Sequence, residues 1–220
     1  MIVEMFAVPF ISEELDMDLE LLTNYVMSLQ DQFPDGVRKS NVGGWQSPEL
    51  LDISHEEMIK LSHEIIKYLN IHKKDLNVKK ELSPIIDTVW VNLNLKGSIN
   101  LPHVHANTHF SAIFYVKIET IQELGCLEIT HPAKLSLDLC WADLLGSSET
   151  TAGSRLLIKP KPNDLYIFPA WIEHSVLPHK NNEPRISIAM NISYVTKEYE
   201  KARNENYQIM KKNNLKSFVL

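Results

Sequence analysis

Three histidines fall within seven positions of the stretch LPHVHANTHFSAIFYV, residues 101–116. His103 and His105 are two residues apart, so in an extended chain both rings project from one face and Val104 from the other. Neutral imidazole is a common ligand for first-row transition metals, and two on one face supply part of a site. A third ligand is needed, and the strongest candidate is His174 in FPAWIEHSVLP (168–178), which follows the apolar run DLYIF. Eleven residues later Arg185 opens RISIAMNISYV (185–195). A period of two places Arg185, Ser187, Ala189 and Asn191 on one face of that run and Ile186, Ile188, Met190 and Ile192 on the other. An arginine beside a histidine-bound metal can grip a carboxylate through two parallel hydrogen bonds.

The elements that would carry these residues change character along the chain. The first third reads as helical. Ser12 is placed to cap a helix with Glu13 and Glu14 in its first turn, and Leu15, Leu19, Leu22, Val26 and Leu29 form one apolar stripe that FPDG ends. A second helix is expected from Ser54, with Glu57 completing a capping box and Met58, Leu61, Ile65 and Leu69 facing inward. From Ile85 the period becomes two. In IIDTVWVNLNL, Val89, Val91, Leu93 and Leu95 alternate with Trp90, Asn92 and Asn94. Further strand-like runs are SAIFYVKI (111–118), CLEIT (126–130), RLLIKP (155–160), DLYIFP (164–169) and RISIAMNISYV. Thr196 is placed to cap a last helix over about 197–212. Many short strands without intervening helices predict a β barrel or sandwich rather than a parallel sheet. The expectation is one domain over residues 1–220. Residues 1–84 would be mostly helical support, 85–195 the β core, and 196–220 a C-terminal helix and tail.

Composition narrows the partners. With 44% hydrophobic and 23% charged residues the chain has the make-up of a soluble globular protein. A net charge of −6 argues against nucleic acid, which needs clustered excess cations. No apolar run approaches the ~18 residues of a membrane span, and MIVEMFAVPFISEELDMD lacks the basic start of a signal peptide. Two cysteines, Cys126 and Cys140, make no disulfide framework and no Cys-x-x-Cys pair. A cytoplasmic protein without membrane or nucleic-acid partners is expected, with a homodimer left open.

Taken in order, His-x-His, the apolar strand ending at Tyr115, GCLEI, FPxWxxH and Arg-x-Ser resemble the double-stranded β-helix of Fe(II)/2-oxoglutarate-dependent oxygenases. The likeness is to 2OG-Fe(II) oxygenases that carry HxHxxxxxSxxxYV, FPxWxxH and RxSxxxN. NVGGWQS (41–47) and WVNLN (90–94) are also similar to that group, and the likeness covers about residues 40–195. The resemblance implies a jelly-roll or cupin-like barrel, Fe(II) and 2-oxoglutarate as cofactors, and hydroxylation of a small molecule or a peptide side chain. It implies that His103 and His174 are metal ligands and that Arg185 binds the far carboxylate of 2-oxoglutarate. Ser187 would help it, and the Tyr115 hydroxyl is placed to reach the same group. The chain departs at His105, where the wider superfamily keeps Asp or Glu to complete its facial triad. Three neutral imidazoles would leave the iron with a higher positive charge. No catalytic group beyond the metal site is implied.

Other residues carry weaker signals. Asn92, Asn94, His109, Trp171 and Asn191 are candidates for substrate contact or cavity lining, although buried strand asparagines also serve structural hydrogen bonds. Asp138 and Asp143 could supply a carboxylate from elsewhere. His131 and His179 neighbour prolines and read as solvent-facing, while His55, His63 and His72 read as helix surface. Gly43 and Gly44 most simply make a turn. Two other functions fit the same histidines. One is a three-histidine cupin-type dioxygenase acting on a thiol. The other is a non-catalytic β-helix module that binds a metal or a small acid.

Overall fold

The computed structural model describes residues 7–50, 54–119, 125–141, 153–178 and 180–212. The expected alternation of period two is met by a curled antiparallel sheet. Its strands are β1 (Ile11–Glu14), β2 (Asn41–Gln46), β3 (Ser83–His103), β4 (Phe110–Lys117), β5 (Leu127–Thr130), β6 (Arg155–Ile158), β7 (Asp164–Pro169), β8 (His174–Val176) and β9 (Arg185–Val195). The hydrogen-bonded order is β1-β7-β4-β9-β3-β8-β5-β6, with β2 also on β3. Strand β3 is the fold's hinge line. It pairs with β9 over residues 83–94 and with β8 through Asn100 and His103. One long strand therefore belongs to two facing walls, and the space between them is the interior of a double-stranded β-helix.

Helices α1 (Leu19–Gln32) and α2 (Glu56–Ile71) cover the outer face of the larger wall. Leu22, Val26 and Leu29 join Met58, Leu61, Ile65 and Leu69 against Val89, Val91, Leu93, Phe114, Ile188, Met190 and Ile192 in one buried cluster. The two predicted stripes are thus core-facing. A second cluster, including Ile113, Tyr115, Leu127, Tyr166, Phe168 and Ile172, packs on the inner side. Strands covered on one face by helices and on the other by the opposite wall explain why β4 and β9 are buried nearly throughout. Helix α3 spans Lys134–Trp141. Helix α4 (Lys197–Lys212) starts as expected, with Tyr199 N donating to Thr196 Oγ1 at 3.3 Å. Arg203 donates to the carbonyls of Ile86 and Asp87 and ties α4 to β3. No helix among the described residues is long and apolar enough to cross a membrane.

Several local expectations are corrected. Ser12 caps nothing: residues 11–14 pair with β7, and the cap of α1 is Asp18, whose carboxylate accepts from Leu21 N at 2.9 Å. Helix α2 begins at Glu56 rather than behind Ser54, and Glu57 accepts from Asp18 N at 2.9 Å instead of closing a capping box. A long-range partner outcompeted the local one. Two strands, β1 and β2, thus accompany the two helices within residues 1–84. Gly43 and Gly44 lie inside β2, where the register against β3 shifts between Val42 and Gly44. Gly43 has φ +77°, and a Cβ on Gly44 would meet the Leu93 carbonyl oxygen at 3.1 Å, so the pair makes a bulge rather than a chain reversal.

Candidate metal centre and cosubstrate pocket

The cross-strand register brings the predicted histidines together. His103 pairs with His174 across β3 and β8. His105 lies just past β3, where its backbone N–H donates to the Ala170 carbonyl at 2.9 Å, tying it to the turn that leads into β8. One ligand atom from each of His103, His105 and His174 falls within 4.8 Å of the others, and no further ligating residue joins them among the described residues. Nε2 of His105 and Nε2 of His174 are 3.4 Å apart.

Backbone carbonyls set the tautomers. Nδ1 of His103 is 2.7 Å from the Leu101 carbonyl oxygen, and Nδ1 of His174 is 3.0 Å from that of Ile172. A carbonyl only accepts, so both Nδ1 atoms carry the hydrogen and both Nε2 atoms present a lone pair, that of His103 3.5 Å from the Ser40 hydroxyl. The ring of His105 stacks on Trp90 at 5.5 Å and is hydrogen-bonded to Asn191. Burial pushes all three rings below the ordinary histidine value, His105 to about 4 and His174 to about 3; nearby rings add to the effect on these two, and Lys39 adds to it on His105. The trio is neutral at neutral pH, the state in which imidazole binds a metal. Three neutral nitrogen donors converging on one point fit a divalent first-row ion such as Fe(II).

The histidines line one end of a cavity of about 490 Å³ between the two walls. Arg185 lines its other part, 3% exposed, and its one side-chain hydrogen bond among the described residues is a long 3.4 Å contact from Nη1 to the Leu177 carbonyl. No carboxylate among those residues pairs with it. A buried guanidinium with most of its five donors unused is a receptor for an anionic ligand. Ser187 shares its strand face two residues on, and Tyr115 stands opposite Ser187 on β4. The fully buried Tyr115 phenol is pushed well above its usual pKa by desolvation, with Arg185 opposing, so it stays protonated and can donate. A dicarboxylate that reaches from the histidines to Arg185 fits this arrangement.

Of the remaining predicted residues, Asn92 and Asn191 line the cavity, whereas Asn94, His109 and Trp171 do not. Asn94 lies behind the lining and donates to Asn100 Oδ1 at 3.2 Å. His109 accepts from Tyr194 N with Nδ1, and Trp171 is 57% exposed. Asp138 pairs with Lys134 on α3, away from the histidines. Asp143 and His179 lie outside the described residues. Unanticipated are Lys39, Ser40, Gln46 and Glu49, which enter the lining with β2 and the segments flanking it, and Asn100. The double glycine conceals that strand, and only the polar pair Gln46–Ser47 at its end hinted at a wall.

Residues 88–191 match the family model described as "Putative 2OG-Fe(II) oxygenase". The match covers just under half of the chain and spans His103, His105, His174, Arg185 and Ser187, so the cavity residues lie within the part that is similar to Fe(II)- and 2-oxoglutarate-dependent oxidoreductases. The fold is shared with a Pseudomonas putida prolyl-4-hydroxylase, at 12% identity and a TM-score of 0.56 over 84% of this chain and 92% of that one. A viral collagen prolyl hydroxylase from Paramecium Bursaria Chlorella virus-1, in its 2-oxoglutarate complex, is similar at 14% identity and a TM-score of 0.53, over 83% and 94%. HygX from Streptomyces hygroscopicus, with nickel and 2-oxoglutarate bound, is similar at 8% identity and 0.52, over 84% and 83%. No curated protein matches the chain by sequence.

Proposed function

We propose that this oxygenase holds Fe(II) on His103, His105 and His174 and 2-oxoglutarate on Arg185, Ser187 and Tyr115, and hydroxylates a small molecule or a peptide side chain. The observation that carries the reading is one cavity lined both by three neutral histidines and by a buried arginine that has no carboxylate partner among the described residues. Fe(II) held there would supply O2 chemistry, in which one oxygen atom of O2 enters succinate as 2-oxoglutarate loses CO2 and the other enters a substrate C–H bond. The chain's own work is positioning. The Leu101 and Ile172 carbonyls fix two rings with their Nε2 atoms turned inward, and Asn191 holds the third. Arg185 takes the distal carboxylate with paired donors while the Ser187 and Tyr115 hydroxyls add hydrogen bonds. Burial of all three groups keeps water from competing for that carboxylate.

The whole of residues 1–220 works as one domain on this reading, since α1 and α2 bury the back of the wall that carries Arg185 and Ser187. A cytoplasmic setting suits the exposed free thiol of Cys140. An anaerobic titration with Fe(II) and then 2-oxoglutarate tests the site. A weak visible charge-transfer band is expected in the wild type and is lost in His174→Ala. The same band and iron affinity in His174→Ala would remove that histidine from the site. Absence of succinate release from 2-oxoglutarate under O2, with a thiol oxidised in its place, would leave the three-histidine thiol dioxygenase as the better reading.

A further inference from the structure

The histidines and the arginine group leave one polar part of the cavity without a task. Strand β2 runs beside β3, and Gln46 stands opposite Asn92 in their register. Both side chains line the cavity, yet Gln46 is 4% and Asn92 8% exposed. The Oδ1 atom of Asn92 is buried and has no hydrogen-bond partner. Buried amide oxygens are almost always satisfied, so one left open in a cavity wall implies a donor brought by a ligand or by water.

The cosubstrate does not supply that donor. At neutral pH 2-oxoglutarate has two carboxylates and a ketone, all of which accept and none of which donates. Of the residues assigned to it, Ser187 stands directly opposite Asn92 on β9, while Gln46 lies on the other side of Asn92, two strands from Ser187. With strands about 4.8 Å apart, Gln46 stands roughly 10 Å from the Ser187 position. The Gln46–Asn92 wall continues outward to the ion pair of Lys39 and Glu49, which line the mouth of the same cavity. Leu101, Pro102 and Val104 line another part of it.

We propose that Gln46 and Asn92 form a carboxamide pair that selects the primary substrate by accepting a hydrogen bond from its N–H or O–H group. This rests on the oxygenase reading of the site and deepens it. The substrate class is an amide- or amino-bearing molecule of amino-acid or short-peptide type. Its donor groups face β2 and its apolar part faces Leu101–Val104. Asn92 and Gln46 are specificity-determining residues; the proposal gives them no part in holding metal or cosubstrate.

The test uses the full chain saturated with Zn(II), a redox-inert substitute, and 2-oxoglutarate. The probes are the free L-amino acids and their N-acetyl amides, with binding read by ligand-observed NMR. At least one probe is expected to bind the wild type. Its affinity should fall tenfold or more in Asn92→Leu and in Gln46→Leu and should be kept within about threefold in Asn92→Asp, which retains the acceptor. Calorimetric affinity for 2-oxoglutarate should stay within threefold of wild type in Asn92→Leu. A tenfold loss of 2-oxoglutarate affinity there would assign the amide to the cosubstrate and overturn the proposal. So would the absence of any probe whose binding depends on Asn92 or Gln46. Failure of the wild type to bind 2-oxoglutarate at all is a separate outcome that removes the oxygenase site and this subsite together.

Discussion

Arg185→Met is expected to make the ligand-free protein more stable while abolishing its response to 2-oxoglutarate. In the free fold the guanidinium is buried at 3% exposure, with one long hydrogen bond to the Leu177 carbonyl and no carboxylate partner among the described residues. Burial alone lowers its pKa, the sign of a charge that the fold desolvates without full compensation. The effective penalty for an unpaired buried ion is several kcal/mol, and water in the adjoining cavity offsets much of it. Methionine has a similar length, no charge to desolvate, and fills irregular space readily. A net gain of about 1–2 kcal/mol is expected, which for a chain of this size raises the melting temperature by about 2–8 °C. Thermal unfolding should be followed with and without Zn(II) plus 2-oxoglutarate. At a hundred times its dissociation constant the ligand adds about 2.7 kcal/mol to the wild type, and it should add nothing to the variant. A metal-free variant that melts well below wild type would show that Arg185 is structural. A variant still stabilised by 2-oxoglutarate would show that the carboxylate binds elsewhere.

Three further outcomes follow from the same geometry. His105→Ala should weaken Fe(II) binding by more than the 10- to 100-fold typical of losing a supporting residue, and His105→Asp should restore it; calorimetry that finds Ala equal to wild type excludes His105 as a ligand. The metal-free protein should lose stability in acid, because His105 titrates near 4 when folded and near 6.5 when unfolded. Its contribution is whole above pH 6.5 and fades as pH falls through the window toward 4, so denaturant unfolding at pH 5 should show about 1–2 kcal/mol less stability than at pH 7, after allowance for partial exposure; a flat profile would refute the burial of the ring. Asp138→Ala should leave metal affinity unchanged within twofold, since that carboxylate pairs with Lys134 on an exposed helix; a large loss would place α3 at the metal.

The alternation of RISIAMNISYV was enough to separate Arg185, Ser187 and Asn191 from the apolar face, because strand geometry has a period of exactly two and one face must be buried. The stripes on α1 and α2 were legible for the same kind of reason, and His103 and His105 could be assigned to one side of an extended segment. The order of motifs identified the fold. Beyond that, the outcome depended on contacts between residues far apart in the chain. Ser12 had the composition of a cap but entered a strand because β7 offered it backbone partners, and β2 was hidden by two glycines whose bulge has meaning only against β3. His174 met His103 through a register that no local pattern specifies. Asn92 and Asn94 alternate identically in sequence, yet one faces the cavity and the other bonds Asn100, because β3 shifts register with its neighbours beyond that point. The low pKa values of the three rings and the burial of the Arg185 charge were decided by tertiary structure alone, since desolvation is set by what packs around a group and not by its neighbours in sequence.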